Sequence, residues 1–151
     1  MIKIICVGHL KENYLKSAEK EYLKRLSKYT KVEVIELDDK SYNDISKVKK
    51  EEGAEILKHI DKKSFIITLE IKGKEFTSEE FSNKLDEINI SYPEITFIIG
   101  GSYGLSNEVI ERANMHFSFS KLTFPHQLFR IMLLEQIYRA YKIINNESYH
   151  K

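Results

Sequence analysis

Cysteine, proline, tryptophan and net charge are all scarce in this chain, and each scarcity removes a class of protein. The single cysteine, Cys6, cannot close an internal disulfide. It lies within an apolar run, where a free thiol acts as a small hydrophobe. Two prolines and six glycines leave no room for a proline-rich or glycine-rich linker, and tryptophan is absent. Lys and Arg number 24 against 23 Asp and Glu, a net charge of +1, so any basic footprint must be local. No apolar stretch runs uncharged for the roughly 18 residues of a membrane span, and the start MIKIICVG is neither long nor basic enough for a signal peptide. These absences predict a cytoplasmic protein. The five histidines never fall at paired metal spacing such as H-E-x-x-H, and no Walker loop occurs, so no metal is expected.

What is present describes an ordinary globular chain, 42% hydrophobic and 31% charged, of a length that suits one domain over residues 1–151. Met1 to Val7 is apolar and β-branched, a buried strand that ends at Gly8. From Asn13 to Tyr29, Tyr14, Leu15, Ala18, Tyr22, Leu23 and Leu26 recur at helical spacing. Lys31 to Leu37 alternates as a second strand. Asp44 to Asp61 steps helically through Ile45, Val48, Ile56, Leu57 and Ile60, with Gly53 weakening the middle by about 1 kcal/mol relative to Ala. Ser64 to Ile71 is a third strand, ending in a flexible basic loop at Lys72 to Lys74. Thr77 and Glu80 have capping-box spacing and open a helix that buries Phe81, Leu85 and Ile88.

Ile95 to Ile99 reads as a strand buried on both faces, halted by Gly100 and Gly101, after which Ser106 caps a short helix. The alternating HFSFS that follows is a fifth strand, expected to run into Lys121 to Phe124 and stop at Pro125. Gln127 to Asn145 is a helix apolar nearly all round. It must be covered either by a second copy of the chain or by a position sandwiched inside the monomer; the expectation is a homodimer through this C-terminal helix. Five strands alternating with five helices predict an α/β fold, a mostly parallel sheet with helices on both faces.

In such sheets ligands bind outside the carboxyl ends of strands, which directs attention to the loops after Ile99 and after HFSFS. GGSYGL is not a G-x-G-x-x-G fingerprint, and about 20 residues beyond it stands Lys121 rather than an acid, so no nicotinamide site is expected. Gly100 and Gly101 suit either a tight turn or close approach to a ligand. Cys6 lies in the first strand, so chemistry through a covalent thiol adduct lacks its nucleophile at these loops. On the first helix, Lys16, Lys20, Lys24 and Lys28 follow at four-residue steps with Arg25 beside them. This is either a solvated face relieved by Glu12, Glu19 and Glu21, or a stripe that contacts RNA phosphates.

Five segments, IICVGHLKE, TLEIKGK, IGGSYGL, FSFSKLTFPHQ and SYHK, span the chain in this order. In them the sequence resembles the RlmH family, small knotted methyltransferases of the SPOUT superfamily. These methylate the 3-position nitrogen of a pseudouridine in large-subunit (23S) ribosomal RNA. The resemblance implies a C-terminal trefoil knot and S-adenosylmethionine as methyl donor. It places the cofactor against Leu69, Gly100, Gly101, Phe119, Ser120, Lys121, Leu122, Thr123 and Phe124, and it brings the tail to the active site, that of a partner subunit. On the acceptor side the candidates are His126, Arg130, Tyr149 and His150. Each has a plainer reading: His126 as a helix cap, Arg130 as the partner of Glu135 rather than of a phosphate or carboxylate, and the tail as disordered. The alternative function is a non-catalytic RNA or nucleotide-binding module.

Overall fold

In the first strand, β1 (Ile2–Val7), Ile4 and Ile5 lie on opposite sides of the pleat and are both fully buried, as in a central strand covered on both faces. A computed structural model describes all residues from Met1 to Lys151. β1 pairs in parallel with β2 (Val32–Leu37) on one side and β4 (Glu94–Ile99) on the other. β3 (Ser64–Glu75) joins β4, and β5 (Met115–Ser118) closes the sheet beside β3, giving the all-parallel order β2-β1-β4-β3-β5. Between the strands run α1 (Asn13–Leu26), α2 (Ile45–Lys58), α3 (Ser78–Ser91) and α4 (Asn107–Arg112), and α5 (His126–Ile144) follows the last.

Strand periodicity divides the core. Ile2, Ile4 and Cys6 point to the face covered by α1, α3 and α5, whereas Ile5 and Val7 join Ile56 of α2 and Val109 of α4 on the other. The doubly covered parallel sheet is therefore the one that the alternation of patterns predicted. The knot implied by the resemblance is compatible with this order, because the chain leaves the edge strand β5 and returns across a sheet face as α5, between α1 and α3. No helix is long and apolar enough to cross a membrane. The capping box forms as read: the Thr77 hydroxyl accepts from Glu80 N–H at 3.0 Å, and the Glu80 carboxylate accepts from Thr77 N–H at 2.9 Å.

Two expectations need correction, and the ground offered for a third changes. Lys72 to Lys74 is not a flexible loop; β3 continues to Glu75 through an irregularity in which Leu69 and Lys74 both pair with Phe117, so the four residues between them bulge outward. Gly73 makes this possible, since a Cβ there would lie 2.8 Å from the backbone of His116 and Phe117. The fifth strand ends at Ser118 rather than running to Phe124. Ser118 Oγ donates to the carbonyl of Ser120 and Ser120 Oγ accepts from Leu122 N–H, so serine side chains bond the local backbone and turn the chain off the ladder. Finally, α5 meets its cover inside the chain: Leu133, Leu134, Ile137, Tyr138, Ala140 and Tyr141 are buried against the sheet, α1 and α3. Of its large apolar side chains only Leu128 is exposed, so apolarity all round does not by itself require a second copy.

Gly53 sets how closely α2 approaches the loop after β4. A Cβ at Gly53 would come 2.3 Å from Ser106 Oγ, the atom that accepts Val109 N–H and caps α4. Gly53→Ala should therefore destabilise the protein by about 1 to 2 kcal/mol in urea unfolding, although helix propensity alone favours Ala by about 1 kcal/mol. A more stable variant would show that Ser106 swings clear without loss.

Candidate active site

The carboxyl ends of β3, β4 and β5 open into a cavity of about 420 Å³. Three pieces of chain wall it. The bulge of β3 contributes Leu69 to Lys72; the turn after β4 contributes Ile99 to Leu105; the segment after β5 contributes Phe119, Ser120, Leu122, Thr123 and Phe124. Ile110, Phe117 and Phe129 add apolar surface at its base, and His126 stands at the junction with a smaller cleft bounded by Gly8, His9 and Gln127. Flat apolar walls with exposed backbone groups on two loops suit an aromatic heterocycle held by its edges. The charged groups on the rim are Lys49, Lys72 and Glu70, the last bonded to Thr68 and His116.

The glycine turn is built differently from the sequence expectation. Gly104 N–H bonds back to Gly101 carbonyl at 3.1 Å, and Gly104 has φ +83°, where a Cβ is disfavoured. A Cβ on Gly100 would lie 2.8 Å from Leu105, and one on Gly101 would lie 2.9 Å from Glu52 and 3.1 Å from Val7. The paired glycines thus let the turn pack closely on Leu105, Glu52 and Val7 while both also line the cavity.

Over this geometry, residues 1–150 match the family model described as "Predicted SPOUT methyltransferase". The chain belongs to the SPOUT methyltransferase family. A protein of Clostridium botulinum strain Hall named "Ribosomal RNA large subunit methyltransferase H" is 53% identical over 157 aligned positions, covering 99% of both chains. A relative of the same name from strain Loch Maree is 50% identical over the same span. Among solved structures, a probable methylase family protein from Haemophilus influenzae Rd KW20 superposes with a TM-score of 0.59 at 15% identity. It is covered over 70% of its length by 99% of this chain, and it shares the fold.

In this SPOUT chain, eight of the nine expected cofactor positions line the cavity: Leu69, Gly100, Gly101, Phe119, Ser120, Leu122, Thr123 and Phe124. Lys121, between them, is exposed and does not line it. The sequence reading missed Lys49, Glu70, Tyr103 and Leu105: Lys49 comes from the polar side of α2, and the others from a bulge and a turn that no periodicity announces. His126 is the first residue of α5, Pro125 takes the cap position, and the imidazole borders both cavity and cleft. Cys6 is buried and its thiol is pushed up to about 12 by that burial, so no thiolate forms near neutral pH.

Arg130 has a different occupation from the one its position suggested. Its side chain is only 3% exposed, and it donates to Glu36 at 2.7 Å, Glu19 at 3.2 Å and the Gly8 carbonyl at 3.1 Å. Glu135 is instead the partner of Arg139. Arg130 therefore holds α5 to α1, β1 and β2 while lining the cleft that His126 borders. Tyr149 and His150 are ordered but line neither cavity nor cleft. The Tyr149 ring packs edge-on against Tyr138 at 4.9 Å and its hydroxyl donates to Glu135 at 3.2 Å, while His150 contacts Glu79 at 2.6 Å and Arg139 at 3.0 Å. Burial and the Glu135 carboxylate push the Tyr149 phenol up to about 12, so it is a neutral donor at physiological pH. The α1 stripe splits: Lys16, Lys20 and Lys24 are exposed without an ion pair, whereas Arg25 bonds Glu21 and Lys28 bonds Glu147.

Replacing Arg130 by Met should cost about 2 to 3 kcal/mol at pH 7, less than a fully stranded buried pair because Glu36 reaches solvent. Burial raises the Glu36 carboxyl, but Arg130 and the Leu10 N–H outweigh it and leave the group below its ordinary value. A depressed folded value means the contribution is present above the unfolded carboxylate range and is lost as pH falls through the folded value. Urea unfolding across pH should accordingly find the gap between wild type and Arg130→Met narrowing in acid. A gap that stays constant would place the cost in packing rather than charge.

Proposed function

We propose that the protein transfers the methyl group of S-adenosylmethionine to the 3-position nitrogen of a pseudouridine in large-subunit (23S) ribosomal RNA. The observation that carries this reading is the cavity at the ends of β3 to β5, in a chain 53% identical end to end to a protein named as a large-subunit ribosomal RNA methyltransferase. S-adenosylmethionine supplies, when bound, a methyl group already activated on a sulfonium sulfur. The chain's own part is to bind and orient. Leu69, Phe119 and Phe124 offer apolar walls for a purine, and the backbone of Ser120 to Phe124 offers hydrogen-bonding groups to its edge. His126, at the junction of cavity and cleft, can take the proton that the ring nitrogen must lose. Lys16, Lys20 and Lys24 are the cations of α1 free to meet RNA phosphates.

Tyr149 and His150 can stack on or hydrogen-bond an extruded base, as the resemblance implies. Their contacts within the chain keep them beside a second groove, lined by Phe76, Met132, Glu135 and Gln136, so they would serve the cavity of another subunit. This makes the active unit a homodimer, with the exposed Leu128 of α5 and the apolar rim residue Leu122 among the surfaces available for contact. The test is incubation with labelled methyl donor and ribosomes, followed by mass mapping of the modified nucleotide. Salt-sensitive RNA binding without turnover would instead establish the non-catalytic binding module.

Two further outcomes are expected. A mixture of a chain lacking Tyr149 to Lys151 with a chain blocked in the cavity should recover methyl transfer that neither parent shows, read after subunit exchange; no recovery would confine the site to one chain. Lys16, Lys20 and Lys24 changed together to Gln should weaken ribosome binding and flatten its dependence on salt by about one unit of slope per lost phosphate contact. An unaltered slope would return the stripe to solvent.

A further inference from the structure

One buried carboxylate oxygen in this fold has no partner, and it stands directly behind the cavity wall. Glu52, on the inner face of α2, is 4% exposed. Its Oε2 accepts from the backbone N–H of Lys40 at 2.9 Å, while Oε1 is sealed from solvent and accepts nothing. A Cβ built on Gly101 would lie 2.9 Å from Oε1 and 3.3 Å from Oε2, so the carboxylate is pressed against the bare Cα of that glycine. Gly101 has no side chain to stand between, and it lines both the cavity and the cleft beside His126. Only one thickness of backbone separates the charge from the space a ligand would fill.

A carboxylate in such a place is costly to the fold. Burial disfavours its ionised form and raises its pKa; the Lys40 N–H and the charges of His126 and Lys40 offset this in part, and Asp39 opposes them. Nothing in the packing needs the charge, because Gln would fill the same volume and accept the same Lys40 N–H. The acid on the cavity rim, Glu70, is already hydrogen-bonded to Thr68 and His116. Glu52 is thus the acid beside the cavity with an uncompensated oxygen.

We infer that Glu52 is the counter-charge for the methyl donor, making the cavity select a cationic sulfonium over its neutral thioether product. This rests on the cavity being the methyl-donor site. In the transfer the carbon–sulfur bond breaks with its electron pair left on sulfur, a carbon–nitrogen bond forms from the nitrogen's pair, and the nitrogen's proton passes to a base. The sulfur therefore enters charged and leaves neutral. A fixed negative charge behind Gly101 holds the donor and relaxes its hold on the product, so the same interaction favours loading and release.

The experiment is calorimetry of S-adenosylmethionine and S-adenosylhomocysteine on the intact protein and on Glu52→Gln and Glu52→Asp. Glu52→Gln should lower donor affinity about tenfold more than product affinity, and Glu52→Asp, which keeps the charge, should restore most of the ratio. A structural role would weaken both ligands alike, and equal losses would overturn the inference while leaving the cavity assignment intact. If neither ligand binds the wild-type protein, the assignment of the cavity fails instead. Should Glu52→Gln not fold, the wild type decides alone: an analogue with a charged amine in place of the sulfonium should bind about as tightly as the donor. A thioether that matches both cations would overturn the selection.

Discussion

The guanidinium of Arg130 is the contact on which the arrangement of the site depends. From the second turn of α5 it reaches the end of β1 through the Gly8 carbonyl, β2 through Glu36 and α1 through Glu19. Those elements come from the first third of the sequence and α5 from the last. His126 lies one turn before Arg130 on the same helix, so fixing the arginine also fixes the imidazole at the junction of cavity and cleft. A planar donor with several N–H groups is suited to this, because it can serve three acceptors in different directions. The ion pairs exert this hold because they are shielded; exposed pairs such as Arg25 with Glu21 contribute little.

Glycine gives the complementary constraint. Gly53, Gly73, Gly100 and Gly101 are all places where a Cβ would strike another part of the protein: Ser106, the backbone of β5, Leu105, and Glu52 with Val7. Each marks a close approach of backbone to neighbour, and together they draw α2, the bulge of β3 and the turn after β4 around one end of the sheet. The cavity is what remains between these tightly apposed pieces and the segment after β5. Its walls are therefore set by the fold's own packing, and loops with little regular structure of their own stand where they do for that reason.

The parallel sheet, its two helical layers and the strand ends that carry the site were legible because period-2 and period-3.6 patterns record which face is buried. Cys6, Ile4 and Ile5 show this within one strand. What was not legible is non-local. Nothing near Arg130 in sequence tells it from Arg139, one of which is buried across three elements and the other paired with Glu135 on its own helix. The end of β5 depended on serines that bond their own backbone, and α5 reads as apolar all round because its neighbours lie on either side of it, information carried by α1 and α3. Of the nine positions that motif resemblance named, eight line the cavity, where periodicity alone had offered two strand ends.

The tail shows how local geometry can prepare a segment for a site that it does not meet in its own chain. After α5, Asn146 takes φ 54°, Asn146 N–H bonds the Ile143 carbonyl and Glu147 N–H bonds that of Lys142, a Schellman turn that reverses the chain. Glu147 then ties the turn to Tyr29 and Lys142, and the next residues fold back so that Tyr149 meets Tyr138 and Arg139. A terminus held in this way has lost most of its conformational entropy before any substrate arrives. An extruded base would then meet an aromatic ring and an imidazole that are already placed, and the ordering would not be charged against binding. That benefit exists only if the ordered tail faces a cavity, and since it does not face its own, the same turn that orders Tyr149 and His150 is the physical reason to expect the site to be completed by two chains.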